Sequence, residues 1–337
     1  MTVHRLIGSP LAAIIFLVTA GTVSAQTQKE LLDELDRTIE EAESYVSAKE
    51  LRIKTIENTL HSRGVSPERQ YRIYGELFDE YQPFNYGKAV ETLDKQMEIA
   101  MLLGDKSKLN DVYLKEAMLN TAAGEFLEAR NDLARVDTTI FTKEQEIAYC
   151  NVQQRFWFDY DENQKGADKS MLRKVAYYRE RLLALADPSS SLSRYVTVRK
   201  YIDEKNFAQA DFINRHSLSR MDPASHDYAN LAYFQARICE SLNRREEMKN
   251  WFIRSAMADI KTATKDNASL FSLADALFKD GDYARAFKYS SFSLEDAIAF
   301  DAKLRQWQIS AILPAVQKSY TDIQLRRSSP TLRTCSR

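Results

Sequence analysis

The sequence predicts an all-α fold, a right-handed solenoid of stacked helical hairpins preceded by a long N-terminal helix. Three observations carry that prediction. Apolar residues recur at three- and four-residue spacing from Leu32 through Leu35, Ile39, Ala42, Val46, Ile53 and Ile56 to Leu60, the period of one helix face. Glycine is scarce, with nine in 337 residues, too few for the phosphate loops and tight turns on which nucleotide-binding and β-rich folds depend. A short turn motif comes back four times at related intervals.

The chain opens on residues 1–25, where Arg5, the apolar run Leu11–Ala20 and Val23-Ser24-Ala25 form the n-region, h-region and small-residue cleavage site of a secretory signal. The run is about half the ~20 residues a spanning helix needs. An exported, periplasmic protein with no membrane span after signal cleavage is therefore expected. Thr27-Gln28-Lys29-Glu30 is a capping box, and the spacing predicts one helix over 28–61, its apolar seam broken only at Lys49. Gly64 ends it, and Ser66-Pro67-Glu68 starts the next with Ser as cap and Pro in the first turn. Thr142-Lys143-Glu144-Gln145 is a second capping box. Asp187-Pro188 and Asp222-Pro223 read as further helix starts, with Ser189-Ser190-Ser191 as a linker. The last helix runs from Leu304 to Leu325 with a kink expected at Pro314, and residues 326–337 read as a basic disordered tail.

The recurring turn joins a small or polar pair to an aromatic, two further residues and an alanine. It appears at Asn85-Tyr86 with Ala89, Gly124-Glu125-Phe126 with Ala129, Asn206-Phe207 with Ala210, and Gly281-Asp282-Tyr283 with Ala286. The aromatics at 86, 126, 207 and 283 lie one, two and two steps of about 40 residues apart. Gly166-Ala167-Asp168 and Asn243-Arg244-Arg245-Glu246 stand where the two missing copies belong. Gly or Asn would end helix A, the aromatic would plug the space between A and B, and the alanine would let the two approach closely.

This motif resembles the G-x-[FY]-x-x-A turn of the tetratricopeptide repeat, at a longer period than the usual ~34 residues. Residues 30–325 are also similar to an exported tetratricopeptide-like region of bacterial membrane-associated regulators. The similarity is carried by Leu31–Asp36, Leu77–Tyr86, Ser293–Ala297 and Ile309–Pro314. It implies a sensor region whose last helix leads, in full-length relatives, to a membrane span and a cytoplasmic part; here Leu325 is followed by the basic tail.

Composition narrows the chemistry. A net charge of −1 excludes a nucleic-acid-binding surface over the whole molecule. Cys150, Cys239 and Cys335 show no CxxC, and the first two lie in apolar helical stretches that predict burial as free thiols. Beyond the signal there are three histidines, none in HExxH or paired with Cys at ligand spacing. The polar group His216, Asp222, His226 and Asp227 reads as solvated or capping. No catalytic residue, cofactor or metal is expected. Two aromatic-acidic clusters, around Phe78–Tyr86 and Phe156–Asp161, supply the candidate partner-binding residues Tyr81, Tyr86, Trp157 and Tyr160, placed on a concave recognition face. The expected function is a non-catalytic binding or sensing scaffold for a protein or peptide of the cell envelope. The alternatives are an α/α-toroid glycan-processing enzyme and a helical glycan-capture protein.

Overall fold

The computed structural model describes residues 27–164, 169–265, 267–300 and 303–328. Two helices open the fold, α1 (Gln28–Glu40) and α2 (Ala42–Leu60). Six hairpins follow. They pair α3 (Pro67–Tyr81) with α4 (Tyr86–Leu103), α5 (Lys106–Ala123) with α6 (Phe126–Arg135), and α7 (Lys143–Asn163) with α8 (Lys169–Leu185). Next come α9 (Ser191–Asp203) with α10 (Phe207–Leu218), α11 (His226–Ser241) with α12 (Arg245–Lys261), and α13 (Ala268–Asp280) with α14 (Tyr283–Phe300). A final helix, α15 (Lys303–Ser328), folds back on α14 and continues on both sides of Pro314. Each hairpin packs on the next, so the described residues form an all-α solenoid without strands. The signal segment 1–25, the Gly166–Asp168 copy of the turn, Cys335 and residues 329–337 lie outside the described residues. Residues 326–328, read from sequence as part of the tail, belong to α15.

The recurring turn is the joint of the hairpins. Its aromatics are the first residues of α4, α6, α10 and α14, and its alanines Ala89, Ala129, Ala210 and Ala286 are all 0% exposed. A methyl is the largest group such close helix packing admits, because the side chains at the contact set the interaxial distance. Two details differ from the expectation. Glycine does end the first helix, Gly124 at φ 83° and Gly281 at φ 85°, but Asn85 and Asn206 cap the start of the second. Their side chains accept from Lys88 and Gln209 N–H. The left-handed residue beside Asn206 is Lys205, at φ 58°. The aromatics also reach further than their own hairpin: Tyr86 Oη donates to Asn120 on α5, and the Phe126 ring lies 5.6 Å from that of Tyr160 on α7.

The two Asp-Pro motifs act one turn earlier than predicted. Asp187 and Asp222 accept from the N–H two residues on, closing Asx turns that hold Pro188 and Pro223 outside the helices. The caps are Ser190 and Ser225, accepting from Ser193 and Tyr228 N–H, so Ser190 is a helix cap and not linker. Cys150 and Cys239 are buried free thiols, as expected.

The N-terminal helix is not continuous. Helical bonding breaks at Glu41, whose carbonyl accepts from both the N–H (2.9 Å) and the hydroxyl (2.7 Å) of Ser44. The two halves have different partners. α2 packs on α3, whereas α1 packs on α12, burying Leu31, Leu32 and Leu35 in the core shared by α11 to α15. Lys49, the break in the apolar seam, is 5% exposed and pairs with Glu80 on α3 at 3.1 Å. The array thus closes on itself: Lys265 N–H, between α12 and α13, donates to Pro83 O, between α3 and α4, and Tyr86 meets Phe300 edge to face at 6.4 Å.

Candidate ligand groove

Closure leaves a groove of about 620 Å³ lined mainly by the first helices of successive hairpins. Helical spacing puts the lining residues on one face of each. α7 presents Arg155, Phe158, Asp159 and Glu162, α9 presents Tyr195, Arg199 and Ile202, and α11 presents His226, Asn230, Tyr233 and Arg237. The other faces carry the core residues Cys150 and Phe156, Val196 and Val198, and Leu231 and Ile238. Burial of those faces fixes which side chains turn inward. Ser269 of α13 and Gln308 of α15 complete the wall. Arg237 also lines a second pocket of about 610 Å³, bounded by Phe271, Asp275 and Ile312.

Each groove arginine pairs with a carboxylate of its own helix. Arg155 faces Asp159 at 3.0 Å, Arg199 faces Asp203 at 3.2 Å, and Arg237 faces Glu240 one turn along. Aromatic surfaces lie between these pairs: Arg199 stacks on Phe158 at 3.9 Å, and Tyr195 packs against Phe234 at 4.9 Å. His226 has 49% of its side chain open to the groove, with Asp259 Oδ1 3.9 Å and Thr264 Oγ1 3.3 Å from Nδ1. The surrounding protein lowers its pKa by desolvating the imidazolium, and the positive charges of Lys49 and Arg155 add to this against the opposing pull of Asp227. No three His, Cys, Asp or Glu side chains are grouped as a metal would need among the described residues. Aromatic faces and oriented donor-acceptor pairs along a curved surface suit the binding of an extended polar chain.

A family model described as the SusR N-terminal TPR domain matches residues 39–311, from the end of α1 into α15. The chain belongs to that family. No curated protein matches the sequence. The match spans all six hairpins of this TPR domain, and it agrees with the resemblance to the sensor region of a regulator. No helix among the described residues is long and apolar enough to cross a membrane.

The four residues singled out from the sequence hold hairpins of the TPR domain together, and none lines the groove. Tyr81 donates to Glu57 at 2.9 Å between α3 and α2, with its phenol pushed up to about 12, chiefly by burial and then by Glu57. It lines a separate surface hollow bounded by α2, α3 and α4. Tyr86 sits at the closure of the array. Trp157 and Tyr160 are brought together on α7, but Trp157 is covered by Lys174 of α8, 3.5 Å from its ring, and Tyr160 stacks on Phe156. Their neighbour Phe158 is the one that faces the groove. Sequence reasoning passed over Phe158, Arg199 and Phe234. The available signal was the Arg-x-x-x-Asp pair recurring on two helices, Arg155 to Asp159 and Arg199 to Asp203.

Proposed function

We propose that this TPR domain is a non-catalytic, exported sensing scaffold that holds an extended peptide segment of an envelope protein along the groove. The observation that carries the reading is the groove lined by residues of α5 to α15, in which aromatic side chains lie among charge pairs oriented by their own helices. A peptide chain offers donors, acceptors and apolar side chains at the spacing such a wall can meet. The signal-like segment 1–25 supports periplasmic placement. Contact of the groove with α15 through Gln308 gives occupancy a route to the last helix.

A peptide array probed with the full chain and with Phe158→Ala and Tyr233→Ala variants tests the reading. Peptides retained by the full chain and released by both variants support it. An array without hits speaks against it. Fractionation of cells expressing a C-terminally tagged chain tests export, and retention in the cytoplasm speaks against the periplasmic assignment.

One observation favours a second reading, capture of a glycan. The charge pairs nearly cancel, and the half-buried rings of Phe158, Tyr195 and Tyr233 among paired polar groups suit sugar faces and hydroxyls as well as peptide. An oligosaccharide array run beside the peptide array separates the two.

A further inference from the structure

Arg199 differs from the other groove arginines in what surrounds it. Arg155 and Arg237 pair with carboxylates of their own helices. Arg199 shares its carboxylate: Asp203 Oδ1 accepts from Arg199 Nε at 3.2 Å, while Asp203 Oδ2 accepts from Arg179 Nη2 at 2.8 Å. Arg179 reaches in from α8 and is 5% exposed. Two guanidinium groups thus stand on one carboxylate, so Arg199 shares its counter-charge with a buried arginine.

The exposed end of Arg199 is held in place. The Arg199 guanidinium carbon lies 3.9 Å from the Phe158 ring centroid and 5.6 Å from that of Phe234. Its Nε is committed to Asp203, whereas Nη1 and Nη2 have no hydrogen-bond or ion-pair partner among the described residues. A quarter of the side chain remains open to the groove. A guanidinium with both terminal nitrogens free, its Nε held by a carboxylate and its carbon over a ring is pre-organised for bidentate contact with a planar anion. Phe234 is buried against Tyr195 and Tyr233 and gives the guanidinium an apolar backing, which strengthens such a contact.

We propose that Arg199 is a carboxylate subsite of the groove, its Nη1 and Nη2 donating to the side-chain carboxylate of an aspartate or glutamate in an extended peptide. This rests on the peptide reading above. The two free terminal nitrogens of the fork match the two oxygens of one carboxylate. Asp203 and Arg179 are positioning residues: they hold the fork and do not touch the ligand.

The test uses the full chain and two fluorescein-labelled peptides with blocked termini, hexaglutamate and hexaglutamine, followed by fluorescence anisotropy. Hexaglutamate is expected to bind about ten-fold or more tightly than hexaglutamine, and Arg199→Ala to erase that difference. Arg199→Lys keeps the charge and loses the fork, and it is expected to erase most of the difference as well. Thermal melts followed by circular dichroism establish that both variants are folded. Equal binding of the two peptides, or a preference that survives in the Arg199 variants, overturns the subsite. If the array gives neutral peptides released by Phe158→Ala while hexaglutamate shows no preference, the subsite fails and the peptide reading stands. If no peptide binds at all, both fail.

Discussion

Arg285 Nε donates to Asp36 Oδ2 at 2.9 Å, joining α14 to α1 across 249 residues of sequence. The other oxygen of Asp36 accepts from Lys288 Nζ at 3.0 Å and Tyr289 Oη at 3.1 Å. Tyr289 is fully buried, and burial followed by the charge of Asp36 raises its pKa. Asp36→Ala leaves that hydroxyl unpaired, which costs about 1–3 kcal/mol. Urea unfolding should show the loss, and deuterium exchange should quicken in α1 ahead of α3 and α4. Unchanged exchange in α1 would mean that Leu31, Leu32 and Leu35 hold the helix without Asp36.

The Lys49–Glu80 pair joins α2 to α3 with the lysine side chain 6% exposed and the carboxylate 25% exposed. Removing only the acid strands the buried charge, which costs roughly 3–5 kcal/mol when burial is complete and less here. Lys49→Met removes the charge and keeps the stem packed near Phe84. Glu80→Ala should therefore destabilise the fold more than Lys49→Met in matched denaturant titrations, and the reverse order would contradict this account.

Glu116 on α5 has its pKa pushed up to about 7, chiefly by burial and then by Asp132, with Asp94 adding and Arg135 opposing. Between its ordinary value of 4.5 and 7, the unfolded chain releases this proton while the folded chain keeps it. Stability from this group is therefore greatest below 4.5, falls as pH rises through that window, and is fully lost above 7. The loss is on the order of 3 kcal/mol. Glu116→Gln should stabilise the protein at pH 8 relative to wild type, with the gain shrinking toward pH 4. A gain of the same size at both ends would show that the carboxyl does not titrate on unfolding.

Lys205 and Gly281 occupy the same left-handed place before the second helix of their hairpins, at φ 58° and 85°. A residue with a Cβ is strained there by about 1 kcal/mol or more. Lys205→Gly should raise stability by up to ~1 kcal/mol once the extra freedom of glycine in the unfolded chain is counted. Gly281→Ala should lower it by a similar amount, since an added Cβ meets nothing within 4 Å and only the backbone is strained. Melting temperatures of the two variants shifting in the same direction would rule this out.

Most of the hairpin architecture is legible in the sequence. The alanines at 89, 129, 210 and 286 could be placed at tight contacts because such packing tolerates little more than a methyl, and all four are buried. The boxes at Thr27 and Thr142 could be placed because a cap is satisfied within four residues. The groove was much less legible. Phe156, Trp157, Phe158 and Tyr160 are all aromatic, and only the direction of each around α7 separates Phe158 in the groove from its neighbours in the packing. That direction depends on how α6 and α8 press on α7.

The sequence by itself determined the local structure of this chain, its caps, hairpin joints and repeat, because those rest on contacts within a few residues or on a period written along the chain. Tertiary structure alone decided that the N-terminal helix breaks at Glu41, that α1 crosses to α12 and α14, and that Arg179, Asp203 and Arg199 meet under one wall of the groove. These depend on the summed curvature of six hairpins, which brings together residues separated by up to 253 positions. Small rotations at each joint accumulate into that curvature, and no single motif encodes their sum.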